Sequence, residues 1–172
     1  MTQPVVTSPT RDETRAPVTD VYQEGIVAGL LGAAVIALWF LILDSARGLP
    51  LYTPSVLGAA LFRRELLASP GPLPISGEMV AVYTWVHGLV FCLIGGLASR
   101  LLALAEERPN LGFGIVLLFV VFEFGFVGVA LAFAEPVLHA LTWPAVLVGN
   151  LLAASAMAAY LWRRHPNLTI QP

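Results

Sequence analysis

The sequence contains no lysine, one cysteine and few charges of either sign: 12% of its 172 residues are charged while 58% are hydrophobic. An average soluble domain is about half apolar and roughly one quarter charged. Without the shell of charged side chains that keeps such a domain dissolved, most of this chain is expected to be covered by lipid. Nine arginines stand against eleven acidic residues, for a formal net charge of −2. They form no basic stripe able to track phosphates, so nucleic acid is not an expected partner. The lone Cys92 lies in a hydrophobic run, with no second cysteine for a disulfide or metal site. Also missing are a phosphate-cradling glycine loop before a lysine, a nucleophile elbow, paired zinc-binding histidines and a thioredoxin-like cysteine pair. The longest interval between hydrophobic runs, Asp44 to Ser76, is too short for a soluble catalytic domain. A non-enzymatic protein is expected.

What the sequence does have is four long hydrophobic runs: Gly25 to Leu43, Met79 to Leu102, Leu111 to Phe133 and Leu141 to Trp162. Each approaches the ~20 residues that cross roughly 30 Å of hydrocarbon. Lipid offers no partner for a bare backbone, so segments this long and uniformly apolar must satisfy their own hydrogen bonds as helices. The predicted fold is an all-α integral membrane protein, a four-helix up-and-down bundle over residues 23–164. A flexible tail over 1–22 and a short tail over 165–172 flank it. Asp12, Glu13 and Asp20 rule out the positively charged start of a signal peptide. With both termini cytoplasmic, Arg11, Arg15, Arg100, Arg108, Arg163 and Arg164 fall inside, and Arg47, Arg63 and Arg64 outside. Positive flanks stay on the cytoplasmic side, so this orientation is preferred.

Between the first two runs, Thr53 can cap a short helix with Pro54 at its first position, reaching about Leu67 before the proline-dense Ser69 to Pro74. Val56, Leu57, Leu61, Phe62, Leu66 and Leu67 spread over most of its circumference. A surface helix keeps a wide charged face; this extracytoplasmic interfacial helix is therefore expected to be covered by protein on a second side.

The stretch Ala37-Leu-Trp-Phe-Leu-Ile-Leu-Asp44, continued by Gly48-Leu-Pro-Leu-Tyr-Thr-Pro54 and Leu57-Gly58, resembles a signature of small four-helix bacterial membrane proteins. The resemblance covers roughly the first third of the chain. It implies a fold, and brings no activity, cofactor or catalytic residue.

Small residues recur at four-residue spacing: Gly25, Gly29 and Ala33; Gly88, Cys92 and Gly96; Asn150, Ala154 and Ala158. Such stripes let helix backbones approach closely, either inside one bundle or against a partner subunit. The third run instead distributes Phe113, Phe119, Phe122, Phe124, Phe126 and Phe133 around its circumference, which suits lipid, a flat pigment or another protein equally.

His87, Glu123 and Asn150 lie about nine or ten residues inward from the outer ends of their helices, roughly 14 Å deep at the helical rise, with Tyr83 one turn before His87. An unpaired carboxylate there costs at least ~2.5 kcal/mol, so Glu123 needs a proton or a hydrogen-bond partner. The group reads as a structural network joining three helices, as a proton relay or a site for a quinone or small solute, or with His87 as the axial ligand of a tetrapyrrole. At the outer boundary Asp44, Glu78, Glu135 and His139 could hold a divalent cation, although acids at helix starts also follow from the helix dipole. The function expected from these features is an accessory or scaffolding subunit packed with other integral membrane subunits and lipid. A small carrier, proton relay or redox protein acting through His87, Glu123 and Asn150 is the alternative.

Overall fold

The computed structural model describes residues 18–67, 74–107 and 143–165, and among these every regular element is an α-helix. In chain order they are α1 (Val18–Ala46), α2 (Tyr52–Phe62), α3 (Arg64–Leu67), α4 (Gly77–Glu107) and α5 (Trp143–Arg164). Three of them, α1, α4 and α5, are long and apolar enough to cross a membrane. Their outward side chains agree with that use: Trp85 is 72% exposed, Leu93 75% and Leu151 65%. Water would penalise so much open apolar area at about 25 cal/mol per Å²; lipid tails would not. The predicted third run, Leu111 to Phe133, with Glu123 and its phenylalanines, lies outside the described residues.

α1 is the helix on which the others assemble, and it uses two adjoining faces. One face meets α4, with Val21 beside Ser99, Gly25 beside Gly95 and Gly96, and Gly29 beside Phe91 and Cys92. Each four-residue step along α1 is matched by a step back along α4, so the pair is antiparallel. The other face meets α5. Ala28 packs with Met157 and Leu161, and Gly32 lies against Met157. Farther along, Gly149 lies against Trp39, whose indole Nε1 donates to the Ala145 carbonyl at 2.8 Å. This pair is antiparallel too, which makes α4 and α5 run in the same direction.

The helices overrun the hydrophobic runs at the end where α1 begins. The tail expected over 1–22 gives way to helix at Val18, with Asp20 in the first turn, where a carboxylate complements the helix dipole. Val21 is buried there, and its carbonyl accepts a hydrogen bond from the Ser99 hydroxyl at 2.8 Å. α4 likewise continues past Leu102 to Glu107 because Ala105 is buried and Glu106 has a partner in His165, just past the end of α5. Tertiary contact prolongs both helices beyond what apolarity alone would predict.

At the opposite end α1 closes on Gly48, whose φ of 75° supplies the left-handed step. The Gly48 amide donates to the Ser45 carbonyl at 3.0 Å and the Leu49 amide to the Asp44 carbonyl at 2.9 Å, the paired bonds of a Schellman motif. Leu51 then adopts a φ of 67° and α2 begins at Tyr52, two residues earlier than Pro54. α2 stops at Phe62 because Arg63 leaves helical geometry, and Arg64–Leu67 forms a separate turn. The single helix expected over 54–67 is therefore two. Thr53, Ser55, Val56, Gly58 and Ala59 form the buried side of α2. A Cβ on Gly58 would strike the Met79 carbonyl, and the Ser76 amide donates to the Ser55 hydroxyl at 2.9 Å. The cover expected on a second side of this short helix is thus supplied on one side by α4, while Leu61 and Phe62 remain outward.

Candidate functional site

Two groups of polar side-chain contacts among the described residues lie at the two ends of the bundle. At the C-terminal end of α1, Asp44 is 1% exposed. Its Oδ2 accepts from the Thr53 amide at 2.7 Å and its Oδ1 from the Thr53 hydroxyl at 2.8 Å. The Thr53 amide is one of the donors that an α-helix leaves unsatisfied at its start. Thus one residue serves two helices: its carbonyl closes α1 and its carboxylate caps α2. The expected cap residue Thr53 sits inside the first turn instead, and the cap comes from nine positions upstream.

At the other end, His165 joins three helices. Its Nδ1 faces Glu106 Oε1 at 2.9 Å and its Nε2 faces Glu24 Oε2 at 3.1 Å. Arg164 Nε lies 3.3 Å from Glu24 Oε1. Glu24 and His165 are mostly buried, with side chains 16% and 12% exposed, so their contact is less screened than a surface ion pair. His165→Ala is expected to lower the stability of the purified protein by about 1 to 2 kcal/mol, since it strips charge-assisted bonds from both glutamates. Thermal unfolding in detergent measures this, and an unchanged midpoint would show that the contacts contribute nothing. Hydropathy alone places His165 in the C-terminal tail. The signal was present nonetheless, because an acid at the start of the first run, an acid after the second and a histidine after the fourth all fall on one side.

Midway along α4, the rings of Tyr83 and His87 stack with centroids 5.4 Å apart at 23°, and His87 and Phe91 lie 4.7 Å apart at 49°. The Tyr83 hydroxyl to His87 Nδ1 distance of 3.5 Å is at the long limit of a hydrogen bond, so stacking is what pairs them. His87 also lies beside the Ala33 backbone of α1. Its Nε2 is buried and has no hydrogen-bond partner among the described residues. Asn150 is half-buried on α5, next to Gly149, which lies at the level of Trp39. The step from Ala33 to Trp39 corresponds to roughly 9 Å of helical rise, and no hydrogen bond links Asn150 to His87. The structure therefore brings Tyr83 to His87 and leaves Asn150 apart. Glu123 lies outside the described residues.

The proposed outer cation group is not assembled among the described residues. Asp44 is turned to Thr53, Glu78 is exposed and pairs with Arg63 at 3.3 Å, and no cluster of three potential ligands occurs there. Glu135 and His139 lie outside the described residues.

The small-residue stripes meet their neighbours unevenly. Gly25, Gly29 and Ala33 are buried, the first two in backbone contact with α4. A Cβ on Gly25 would lie 2.5 Å from the Gly96 Cα, and one on Gly29 would lie 2.7 Å from the Cys92 Cα. No atom of the described residues lies where a side chain at Gly88 would go, while Gly95, outside the four-residue series, faces α1 directly. On α5 the buried line is Gly149, Ala153, Met157 and Leu161; Ala154 is half-buried and Ala158 exposed. The seam is displaced by one position from Asn150, Ala154 and Ala158 because a methionine, not a small residue, occupies one of its steps.

Comparison with models of known protein families, with characterised proteins and with solved structures finds no match to this chain.

Proposed function

We propose that this protein is a non-enzymatic accessory or scaffolding subunit of the bacterial inner membrane, crossing it four times with both termini in the cytoplasm. The observation that carries this reading is the use made of its polar side chains. Asp44, Ser55, Ser99, Trp39 and His165 each fasten one helix or turn to another. Large apolar side chains on all three long helices meanwhile point outward. A chain built this way offers packing surface. The parallel course of α4 and α5 supports the four-span topology, since residues 108–142 connect the far end of one to the opposite end of the other. Arg100, Arg163 and Arg164 lie at the end where α1 begins, and Arg47, Arg63 and Arg64 at the end where it closes, which supports the orientation. Purification in mild detergent should therefore yield the chain with another integral membrane subunit. A lone monomer, reproducibly free of any co-purifying protein, would refute the subunit assignment.

The buried Nε2 of His87, without a hydrogen-bond partner among the described residues, favours a second reading, a proton relay or redox site with Glu123 as the other member. Glu123→Gln and His87→Ala distinguish the two. A scaffold retains its assembly with Glu123→Gln, because an amide preserves most of the hydrogen bonding, whereas a relay loses proton transfer in reconstituted vesicles. An absorption band in the visible region would point instead to a tetrapyrrole at His87.

A further inference from the structure

Between the first turns of α1 and the last turn of α5 lies a groove of about 230 Å³, lined by Asp20, Gln23, Glu24, Val27, Tyr160 and Arg164. A single water needs only ~10–15 Å³ by such a measure, so the groove has room for a group of several heavy atoms. Its lining is mixed in a particular way. Arg164 brings a guanidinium, 56% exposed, whose Nε lies against Glu24; the fork carries further donors suited to phosphate oxygens. Asp20, Gln23 and Glu24 bring only oxygen acceptors suited to an ammonium, apart from the Gln23 amide. The wall between them is Val27, 46% exposed, and Leu31, one turn deeper on the same face of α1, is 37% exposed. Acid, base and an apolar track lie together at the end of a membrane-length helix.

We propose that this groove is a headgroup site for a phospholipid carrying a primary amine. The phosphate sits against Arg164, the ammonium donates to Asp20 and Gln23, and an acyl chain follows Val27 and Leu31 toward the membrane interior. Phosphatidylcholine satisfies the phosphate position but has no N–H to donate, and phosphatidylglycerol has no cation, so acid and base together select ethanolamine. The proposal rests on the membrane reading above. That premise is tested separately, since a chain that stays dissolved without detergent is not a membrane protein at all.

The test is thermal unfolding of the purified full-length chain in detergent, supplemented with phosphatidylethanolamine, phosphatidylcholine, phosphatidylglycerol or soluble phosphoethanolamine. Near saturation, phosphatidylethanolamine is expected to raise the midpoint by roughly 5 °C, and the choline and glycerol lipids by much less. Asp20→Asn should abolish that preference while lowering the midpoint without lipid only slightly, since Asp20 makes no side-chain bond to the described residues and loses only its interaction with the helix dipole. Arg164→Gln should abolish it as well; should that variant fold poorly through loss of Glu24, Asp20→Asn decides. A response to phosphoethanolamine alone assigns recognition to the headgroup, and a response only to the whole lipid assigns it to headgroup and chain together; both uphold the site. Equal shifts with ethanolamine and choline lipids, or an Asp20→Asn variant that keeps the ethanolamine preference, would overturn it.

Discussion

Alanine at Gly95 is expected to loosen α1 from α4, while alanine at its neighbour Gly96 leaves the pair intact. A Cβ on Gly95 would collide with the Gly25 carbonyl and lie 2.6 Å from the Gly29 nitrogen. All of these are main-chain atoms of a helix, so no side chain can rotate aside and the two rods must separate. Forcing a methyl group into a close-packed contact typically costs 1–3 kcal/mol, and a rigid backbone on both sides places this case near the top, about 3 kcal/mol. For a chain of this length that corresponds to a fall of roughly 6 to 12 °C in the thermal midpoint. At Gly96 and at Gly88 the added methyl meets no atom of the described residues within 4 Å. There alanine restricts the unfolded chain and suits a helix better, so the midpoint stays level or rises slightly. Circular dichroism melts of the three variants in one detergent make the comparison, and equal behaviour at Gly95 and Gly96 would show that the helices do not meet as described.

Removing the Asp44 carboxylate should be as damaging. Asp44→Ala leaves the Thr53 amide and hydroxyl buried without their acceptor, and bonds to a charged partner are worth about 1.5–3 kcal/mol. Two are lost, and the loss falls where α1, the turn and α2 converge, so a destabilisation of about 3 kcal/mol is expected. Asparagine is the discriminating substitution. Its oxygen can still accept from the Thr53 amide while its NH₂ donates to the Thr53 hydroxyl, which is free to reverse its direction. Asp44→Asn should therefore keep most of the stability, and Thr53→Val should cost less than Asp44→Ala. If asparagine proved as harmful as alanine, the negative charge itself, and not the cap, would be what this position requires.

How much of this was legible beforehand depends on the range of the interaction involved. The existence of α1, α4 and α5 follows from length and apolarity, which are local properties. Their ends do not, because Val21 and Glu106 are held helical by contacts with distant helices. Gly25 and Gly29 could be picked out by spacing, yet nothing in the sequence says whether Gly95 or Gly96 faces them, since that depends on the angle at which α1 and α4 cross. On α5, choosing small residues led to Ala154 and Ala158, whereas the buried line includes Met157, which fits because Gly32 opposite it has no side chain. The Asp44 cap was hidden for a different reason: a carboxylate at a helix end reads as solvated, and only the tight turn at Gly48 brings it back over Thr53. Tyr83 and His87 were recognisable as a pair from their one-turn separation, but the offset of Asn150 along α1 was not.

The central position of α1 bears on how the chain is made. It is the most apolar of the three long helices, α4 is less so, and α5, to which it supplies half of an interface, is the least. A ribosome delivers them in that order. On the membrane reading proposed above, the segment best able to stay in lipid by itself would enter first, and the one most in need of a companion would arrive when its companion is already in place, its glycine faces open for docking.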